Sequence, residues 1–593
     1  MTDPRREYIR RLRTRRSEAN VHQRWNRRIG HLRLITGFVA VLIMWLAAGP
    51  GLLSPWWLAA PVVVFIGLAI YHERVIAHQR SSLRAAMYYK RALERIEDRW
   101  HGKGASGERF LDSSHPYAQD LDIFGHASLF QLLCLARTRA GEQTLAKWLL
   151  QPATAGEVLL RQQAVEELRA RIDLREGLAV LGEDFRVGVH PDALASWGAG
   201  EPVLHSSTAR IVAALLASSA VATAVIWAQT GWPLPFLMVL LVEATFALKL
   251  RERVLAVAHA VELPAHDLDL LSQVLMRFEQ EEFTSPKLVA LKKALETEGL
   301  PPSRRIKKLH RLTELLDSRD NLAVRIMGPP LLWTTQIAFA IEAWRKTSGP
   351  AVARWLHTVG EIEALSSLAA YAYARPAEVF PEFVFDSPTF DGEGLGHPLL
   401  MESKVVRNDV RFGKDRRVLI VSGSNMSGKS TLLRTVGTNA VLAMAGAPVR
   451  ARRLRLSSLT IGASIRVTDS LQSGSSRFYA EITRIRQLMD LAAGGEPLLF
   501  LLDELLHGTN SHDRRIGAEA IVRTLVERGA IGLLTTHDLA LAGIAGVLNP
   551  AAENVHFEDH LENGRISFDY TLHQGVVRKS NALELMRSVG LQV

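Results

Sequence analysis

Residues 417–433, Arg417-Val-Leu-Ile-Val-Ser-Gly-Ser-Asn-Met-Ser-Gly-Lys-Ser-Thr-Leu-Leu433, pass from a β-branched apolar run through a Gly/Ser-rich loop into the start of a helix. They satisfy G-x-x-x-x-G-K-[ST], with Gly423, Gly428, Lys429 and Ser430 at the fixed places. The motif makes physical sense only in such a setting. A buried parallel strand delivers the loop, and the glycines let backbone N–H groups turn inward on phosphate oxygens. The helix N-terminus then adds its partial positive charge. Gly423, Ser424, Asn425, Met426, Ser427, Gly428, Lys429, Ser430 and Thr431 are thus expected to hold the phosphates of ATP. Lys429 is to reach the β and γ oxygens and Ser430 to ligand Mg²⁺.

Farther along, Pro497-Leu-Leu-Phe-Leu-Leu-Asp503-Glu504 is an apolar strand ending in two acids. Asp503 would hold Mg²⁺ and Glu504 would polarise the attacking water. Gly532-Leu-Leu-Thr-Thr-His537 is a third apolar strand, ending in a histidine. This ordered set is similar to ABC-type ATPases, where a histidine at that place senses the γ-phosphate. The resemblance implies an ATP hydrolase with Glu504 and His537 as catalytic residues.

In detail the chain resembles the MutS family. Gly423-Ser-Asn-Met-Ser-Gly-Lys-Ser-Thr431 is similar to the family's GPNMGGKST, with Ser424 for Pro and Ser427 for Gly. Asp503-Glu-Leu-Leu-His-Gly-Thr509 resembles DEIGRGT, with Leu506 and His507 in place of Gly and Arg. Gly474-Ser-Ser-Arg-Phe-Tyr-Ala-Glu481 resembles GRSTFMVE and puts Ser476 at the signature serine. His397-Pro398, Asn408-Asp409, Asn554-Val-His556, Ile566-Ser-Phe568 and 575–580 follow further family elements. Asp122–Phe130 and Arg161–Leu168 resemble the start of the helical core domain. No stretch matches the mismatch-reading domain or its Phe-x-Glu wedge. The family's aromatic stack on adenine falls here at Val405 and Val406, which leaves Tyr570 as the stacking candidate.

Leu34–Tyr71 and Ile211–Val242 contain no charged residue, and Pro/Gly breaks divide each in two. A bilayer core takes about 20 apolar residues per helix, so each run fits two short spans joined by a hairpin. Trp56, Trp57 and Trp232 lie at the breaks, as interfacial aromatics do. Residues 1–33 hold eleven arginines against Asp3, Glu7 and Glu18, +8 of the chain's +10. Basicity concentrated beside the first span places the termini and long segments on the cytoplasmic side. The arm could instead contact nucleic acid. A cleaved signal peptide is not expected, because the apolar segment starts late and no cleavage pattern follows it. The single cysteine, Cys134, excludes a disulfide framework and a Cys-rich metal site.

The expected architecture is an α/β P-loop (ABC-type) ATPase domain and a MutS-core-like α-helical domain, with four transmembrane helices in two hairpins. In order these are a basic cytoplasmic arm (1–33), a first hairpin (34–71) and a helical linker (72–114). A first core segment (115–205), the second hairpin (206–250), a second core segment (251–378) and the ATPase domain (379–593) follow. The expected location is a bacterial-type inner membrane, multi-pass, with the ATPase cytoplasmic.

Other residues carry less. Glu243, in the fourth span, is expected at the inner interface or paired with a neighbour such as Lys249. Ser303–Arg311 and Arg450, Arg452, Arg453 and Arg455 could contact phosphate or form solvated faces. Leu331–Ala343 contains Glu342 and reads as a core helix, not a fifth span.

The functional expectation is a membrane-anchored ATP-dependent conformational switch. The resemblance implies DNA as partner, with mismatch repair or damage sensing as the process. The alternative is a tethered switch acting on a protein partner. An ABC transporter fits poorly, since four spans are few and 474–481 is no LSGGQ. The resemblance also implies a homodimer in which Ser476 completes the partner's ATP site, with Asn510, Ser511 and His512 where the subunits meet.

Overall fold

The computed structural model describes residues 3–48, 52–181, 190–204, 206–318, 321–424, 426–466, 477–507, 509–562 and 565–577. The arm expected over 1–33 is the beginning of one helix, α1 (Pro4–Ala48), which runs unbroken into the apolar stretch. It pairs with α2 (Ala59–Ile96) as a hairpin. Polar contacts fix the pairing. Arg33 donates to His72 Nδ1 (2.9 Å), His72 Nε2 donates to Asn26 Oδ1 (2.6 Å), and Asn26 donates to Gln79 Oε1 (3.1 Å). At the arm's base, buried Tyr8 packs against Tyr89 and Tyr373, with ring centroids 5.8 and 5.2 Å away. Arg15 pairs with Glu176 at 2.7 Å, and Arg11 with Asp173. The arm is therefore docked on helical sequence rather than free.

Short helices follow: α3 (Leu129–Leu133), α4 (Arg139–Leu150), α5 (Ala155–Ala170), α6 (Ile172–Leu181) and α7 (Pro191–Ala199). A second hairpin, α8 (Ser207–Thr230) with α9 (Leu234–Glu279), comes next. Among the described residues, three helical segments are long and apolar enough to cross a membrane: α1, Trp56–Ile96 and α8. Only 6–11% of their most apolar windows is buried. The expectation of four spans is thus corrected to three. Glu243, Lys249 and Arg251 interrupt the apolar start of α9, and that helix, 46 residues in all, continues into the core. Glu243 also departs from expectation. It is 2% exposed, and neither carboxylate oxygen has a hydrogen-bond partner among the described residues.

The core is completed by α10 (Pro286–Leu295), α11 (Pro302–Asp317), α12 (Leu322–Met327) and the 42-residue α13 (Trp333–Ala374). Glu342, whose charge argued against a span, is buried in α13, paired with Arg345 (2.9 Å) and accepting from Val203 N (2.8 Å). Helix α13 is the spine on which α4, α5 and α7 pack. Glycines set the closest crossings. A Cβ on Gly349 would lie 2.2 Å from Gly198 O in α7, and one on Gly360 2.6 Å from Thr144 Oγ1 in α4. Buried Glu363 caps α4 by accepting from the backbone N–H groups of Arg137 and Thr138 (3.1 Å each). Those donors would otherwise be orphaned in the interior.

Among the described residues, ten strands build the C-terminal region. β1 (Glu382–Phe383), β2 (Phe390–Leu395), β3 (Asn408–Phe412) and β5 (Arg453–Leu456) form one sheet, ordered β1-β5-β2-β3. The larger sheet joins β4 (Val418–Ser422), β6 (Thr460–Ser464), β7 (Leu498–Asp503), β8 (Ile531–Thr536), β9 (Ala552–Glu562) and β10 (Arg565–Gln574) in the order β10-β9-β4-β8-β7-β6. It is parallel from β9 to β6, with β10 antiparallel at the edge. β4 and β8 are buried throughout, as continuous apolar runs in parallel sheets are. Helices α14 (Lys429–Ala445), α15 (Arg477–Ala492) and α16 (Ser511–Glu527) pack around it.

One carboxylate ties the helical core to the sheets. Asp120 accepts from the backbone N–H groups of Ile465 (2.8 Å) and Arg466 (2.6 Å), and its carbonyl accepts from Arg434 Nε in α14 (3.1 Å). Burial raises the Asp120 pKa, and the two backbone donors oppose the shift. Leu121 lies over Gly437, where a Cβ would stand 2.6 Å from it.

Gly349→Ala should destabilise the fold by about 1–3 kcal/mol, because the added methyl must force α13 away from α7. The thermal unfolding midpoint of detergent-solubilised protein checks this, and an unchanged midpoint contradicts the close crossing.

Candidate active site

A cleft of about 1010 Å³ opens where the C-terminal ends of β4 and β7 meet the start of α14; Met426, Lys429, Ser430, Asp503, Glu504 and Tyr570 are among its lining residues. That end of a parallel sheet is where loops and helix N-termini converge on ligands. The loop after β4 returns into α14 through Gly428, at φ 101° in the left-handed region. A Cβ there would lie 3.0 Å from the Tyr570 ring, so glycine serves both the turn and the close approach. Lys429 Nζ donates to the carbonyls of Gly423 and Ser424, 2.8 Å each, which holds the ammonium inside the loop. Burial lowers its pKa, opposed by Glu504 and Asp503. Met426, at the loop's tip, is exposed. Asn425 lies outside the described residues.

Ser430 Oγ donates to Asp503 Oδ2 at 2.5 Å, and Thr535 Oγ1 donates to Asp503 Oδ1. A hydroxyl beside a carboxylate is a hard oxygen pair, and it fits Mg²⁺ held by these two side chains. Glu504 follows at φ 48°, and its N–H donates to Thr535 O (3.2 Å). His537 Nδ1 lies 3.1 Å from Glu504 Oε1, His507 Nε2 3.8 Å from Oε2, and Lys429 Nζ 3.9 Å from Oε1. The turn after β7 is pinned from two sides. Glu481 accepts from Leu506 N (2.5 Å), and Arg514 Nε donates to Leu505 O (3.1 Å). Buried Leu505 and Leu506 anchor it below.

Tyr570 is placed by strain and a clamp. It sits at φ 55° in the irregular register between Phe568 and Leu572. Asn408 bridges that irregularity, donating from Nδ2 to Tyr570 O (3.0 Å) and accepting at Oδ1 from Leu572 N (2.7 Å). The ring thereby covers Gly428 and lines the cleft. Val406 also lines the cleft, whereas Val405 packs toward Gly396. His397 lines the inner wall, and burial pulls its pKa down to about 4, so it is neutral at physiological pH.

The structure therefore brings Lys429, Ser430, Asp503, Glu504, His537 and Tyr570 to one place. Ser476 lies outside the described residues; α15 begins at Arg477. Asn510 caps α16, accepting from Asp513 N at 2.9 Å, and Ser511 and His512 are exposed beside it. Three contributors were not singled out for the roles they take: Thr535 on Asp503, Glu481 under the turn, and Asn408 behind Tyr570. Each stood within a quoted motif, but none has a role legible without its partner's position. Arg450, read as a phosphate contact or solvated face, is instead buried, donating to His397 O at 2.9 Å and pairing with Glu402.

Residues 419–592 match the family model of MutS domain V. Over 235 residues the chain is 32% identical to "DNA mismatch repair protein MutS 2" of Halobacterium salinarum, covering 39% of this chain and 27% of the relative. It is 32% identical over 203 residues to "Endonuclease MutS2" of Thermus thermophilus, covering 33% and 25%. To "Endonuclease MutS2" of an Anaeromyxobacter species it is 34% identical over 255 residues, covering 41% and 31%. The chain thus spans about a quarter to a third of the length of these relatives. Over residues 419–592 the chain carries a MutS domain V, and over that part it is similar to curated MutS and MutS2 proteins.

Proposed function

We propose that this protein is a membrane-anchored, MutS-type ATPase that works as a homodimeric conformational switch on DNA. The observation that carries the reading is one cleft lined by Lys429, the Ser430–Asp503 oxygen pair, Glu504 and Tyr570, with His537 hydrogen-bonded to Glu504. Lys429 and the loop's N–H groups hold the triphosphate, and Tyr570 offers its face to adenine. Mg²⁺ between Ser430 and Asp503 would neutralise charge on the phosphate oxygens. Glu504 then accepts a proton from the attacking water, and His537, hydrogen-bonded to it, steers the carboxylate. A dimer, with Ser476 completing the partner's site, is supported by exposed Phe478, Tyr479 and Ile482 on the first turns of α15. The three long, largely unburied apolar helices support the anchor, as do hairpin-tip Trp56, Trp57 and Trp232, 85%, 61% and 58% exposed. The domain limits 1–33, 34–71, 72–114, 115–205, 206–250, 251–378 and 379–593 belong to this reading, with three rather than four spans.

A second reading, a switch acting on a protein partner, draws on the docked arm. Arg11 and Arg15 are engaged by Asp173 and Glu176 and so withdrawn from a polyanion.

Lys429→Ala should abolish ATP binding, while Glu504→Gln should bind ATP normally and lose turnover by about 10²–10⁴-fold, the usual contribution of a general base. Nucleotide-binding and steady-state hydrolysis assays check both. Full turnover in Glu504→Gln contradicts the base assignment. The protein should stay with membranes through a carbonate wash; recovery in the soluble fraction without detergent argues against the anchor. Duplex, mismatched or branched DNA should stimulate hydrolysis in a salt-dependent way. Active enzyme indifferent to all three sinks the DNA reading in favour of a protein partner.

A further inference from the structure

Each oxygen of the Glu504 carboxylate faces an imidazole. His537 Nδ1 stands 3.1 Å from Oε1 and His507 Nε2 3.8 Å from Oε2, with the two rings 5.6 Å apart at their centroids. The three ligand atoms all lie within 4.8 Å of one another. His537 comes from the end of β8, whereas His507 arrives from the turn after β7. Hydrolysis with Glu504 as the base has no need of His507. Yet its backbone is folded back over Glu504 at some expense, because Glu504 (φ 48°) and Leu506 (φ 56°) both occupy the left-handed region. Such conformations persist only where surrounding contacts over-determine them, here the bonds from Glu481 and Arg514.

Two imidazoles and a carboxylate with an open side are the donor set of a Zn²⁺-class ion. At metal–ligand bonds of about 2.0–2.1 Å, tetrahedral ligands stand roughly 3.4 Å apart. The two carboxylate oxygens stand 3.1 and 3.8 Å from their respective imidazole nitrogens, one on either side of that figure. One donor atom from each residue lies within 4.8 Å of the other two, and the half-exposed His507 ring has room to turn toward a shared ion. Mg²⁺ prefers hard oxygen ligands and has its own pair in Ser430 and Asp503.

We propose that Glu504, His507 and His537 form a binding site for one Zn²⁺-class transition-metal ion, distinct from the Mg²⁺ site, and that its occupation arrests hydrolysis. The arrest rests on Glu504 being the base: a carboxylate whose lone pairs coordinate the ion cannot take the proton of the attacking water. The binding itself needs no nucleotide and does not rest on that reading.

The test uses full-length protein in detergent, stripped of metal and titrated with Zn²⁺ against a chromogenic chelator in the absence of nucleotide. Wild type and Lys429→Ala should each bind one Zn²⁺ per chain that His507→Gln binds at least tenfold more weakly. Hydrolysis at saturating Mg²⁺ should fall as this site fills in wild type, and should resist the same Zn²⁺ concentrations in His507→Gln. His507→Arg, which carries a cation in place of a ligand, should behave as His507→Gln does. Equal Zn²⁺ binding by wild type and both variants overturns the site. A filled site with undiminished hydrolysis overturns the arrest. Zn²⁺ bound at the site by a protein that hydrolyses no ATP upholds the site and instead removes the ATPase reading.

Discussion

The Asp120 carboxylate holds the molecule's two halves in one geometry. Buried at their seam, it satisfies two successive backbone donors at the end of β6, and its own carbonyl holds Arg434 on the helix that begins under the nucleotide loop. A buried carboxylate is costly to leave unpaired, so the seam resists separation. Around it Arg466 pairs with Asp122 at 2.7 Å, and Arg484 donates to the carbonyls of Ser113 and His115. On the proposed function, this is where a change at the γ-phosphate becomes a change in the helical core. Helix α14 and the end of β6 both meet Asp120 there.

The same economy shows in how the apolar helices are joined to the rest. Helix α1 carries the basic arm and the first apolar stretch in one piece, and its base is held by Tyr8 and by Arg15 on Glu176. Helix α9 likewise runs from the second hairpin's tip into the core without a break. No flexible linker intervenes at either place, so a shift of the core carries the apolar helices with it. The surface ion pairs alone would contribute little; the packing of buried tyrosines and the continuity of the helices carry the constraint.

Much of the candidate site was legible in the sequence because each motif has a fixed local geometry. A strand, a Gly-rich turn and a helix place Lys429 and Ser430 whatever surrounds them, and apolar runs ending in Asp503 and His537 fall at the same sheet edge once the strands are parallel. What depended on distant partners was not legible. Asn408 stood in a family element, but its role is not legible until Leu572 and Tyr570 are beside it. Arg450 reads as a surface cation until His397 and Glu402 enclose it. The fourth span failed for a related reason: the charge-free run ends at Val242 but the helix does not, and Glu243, Lys249 and Arg251 follow within it before a full span's length is reached. The arm's docking was equally hidden, since Tyr8 and Glu176 are far apart in the chain.

Hydrogen exchange of the full-length protein in detergent, with and without ATP in the Glu504→Gln background, decides whether the seam couples the cleft to the helical core. Coupling through Asp120 requires changed protection in residues 423–445 and also in 117–130 and along Trp333–Ala374, with the distant changes lost in Asp120→Ala while ATP binding persists. Changes confined to the cleft, with the helical core indifferent to nucleotide, would rule that coupling out.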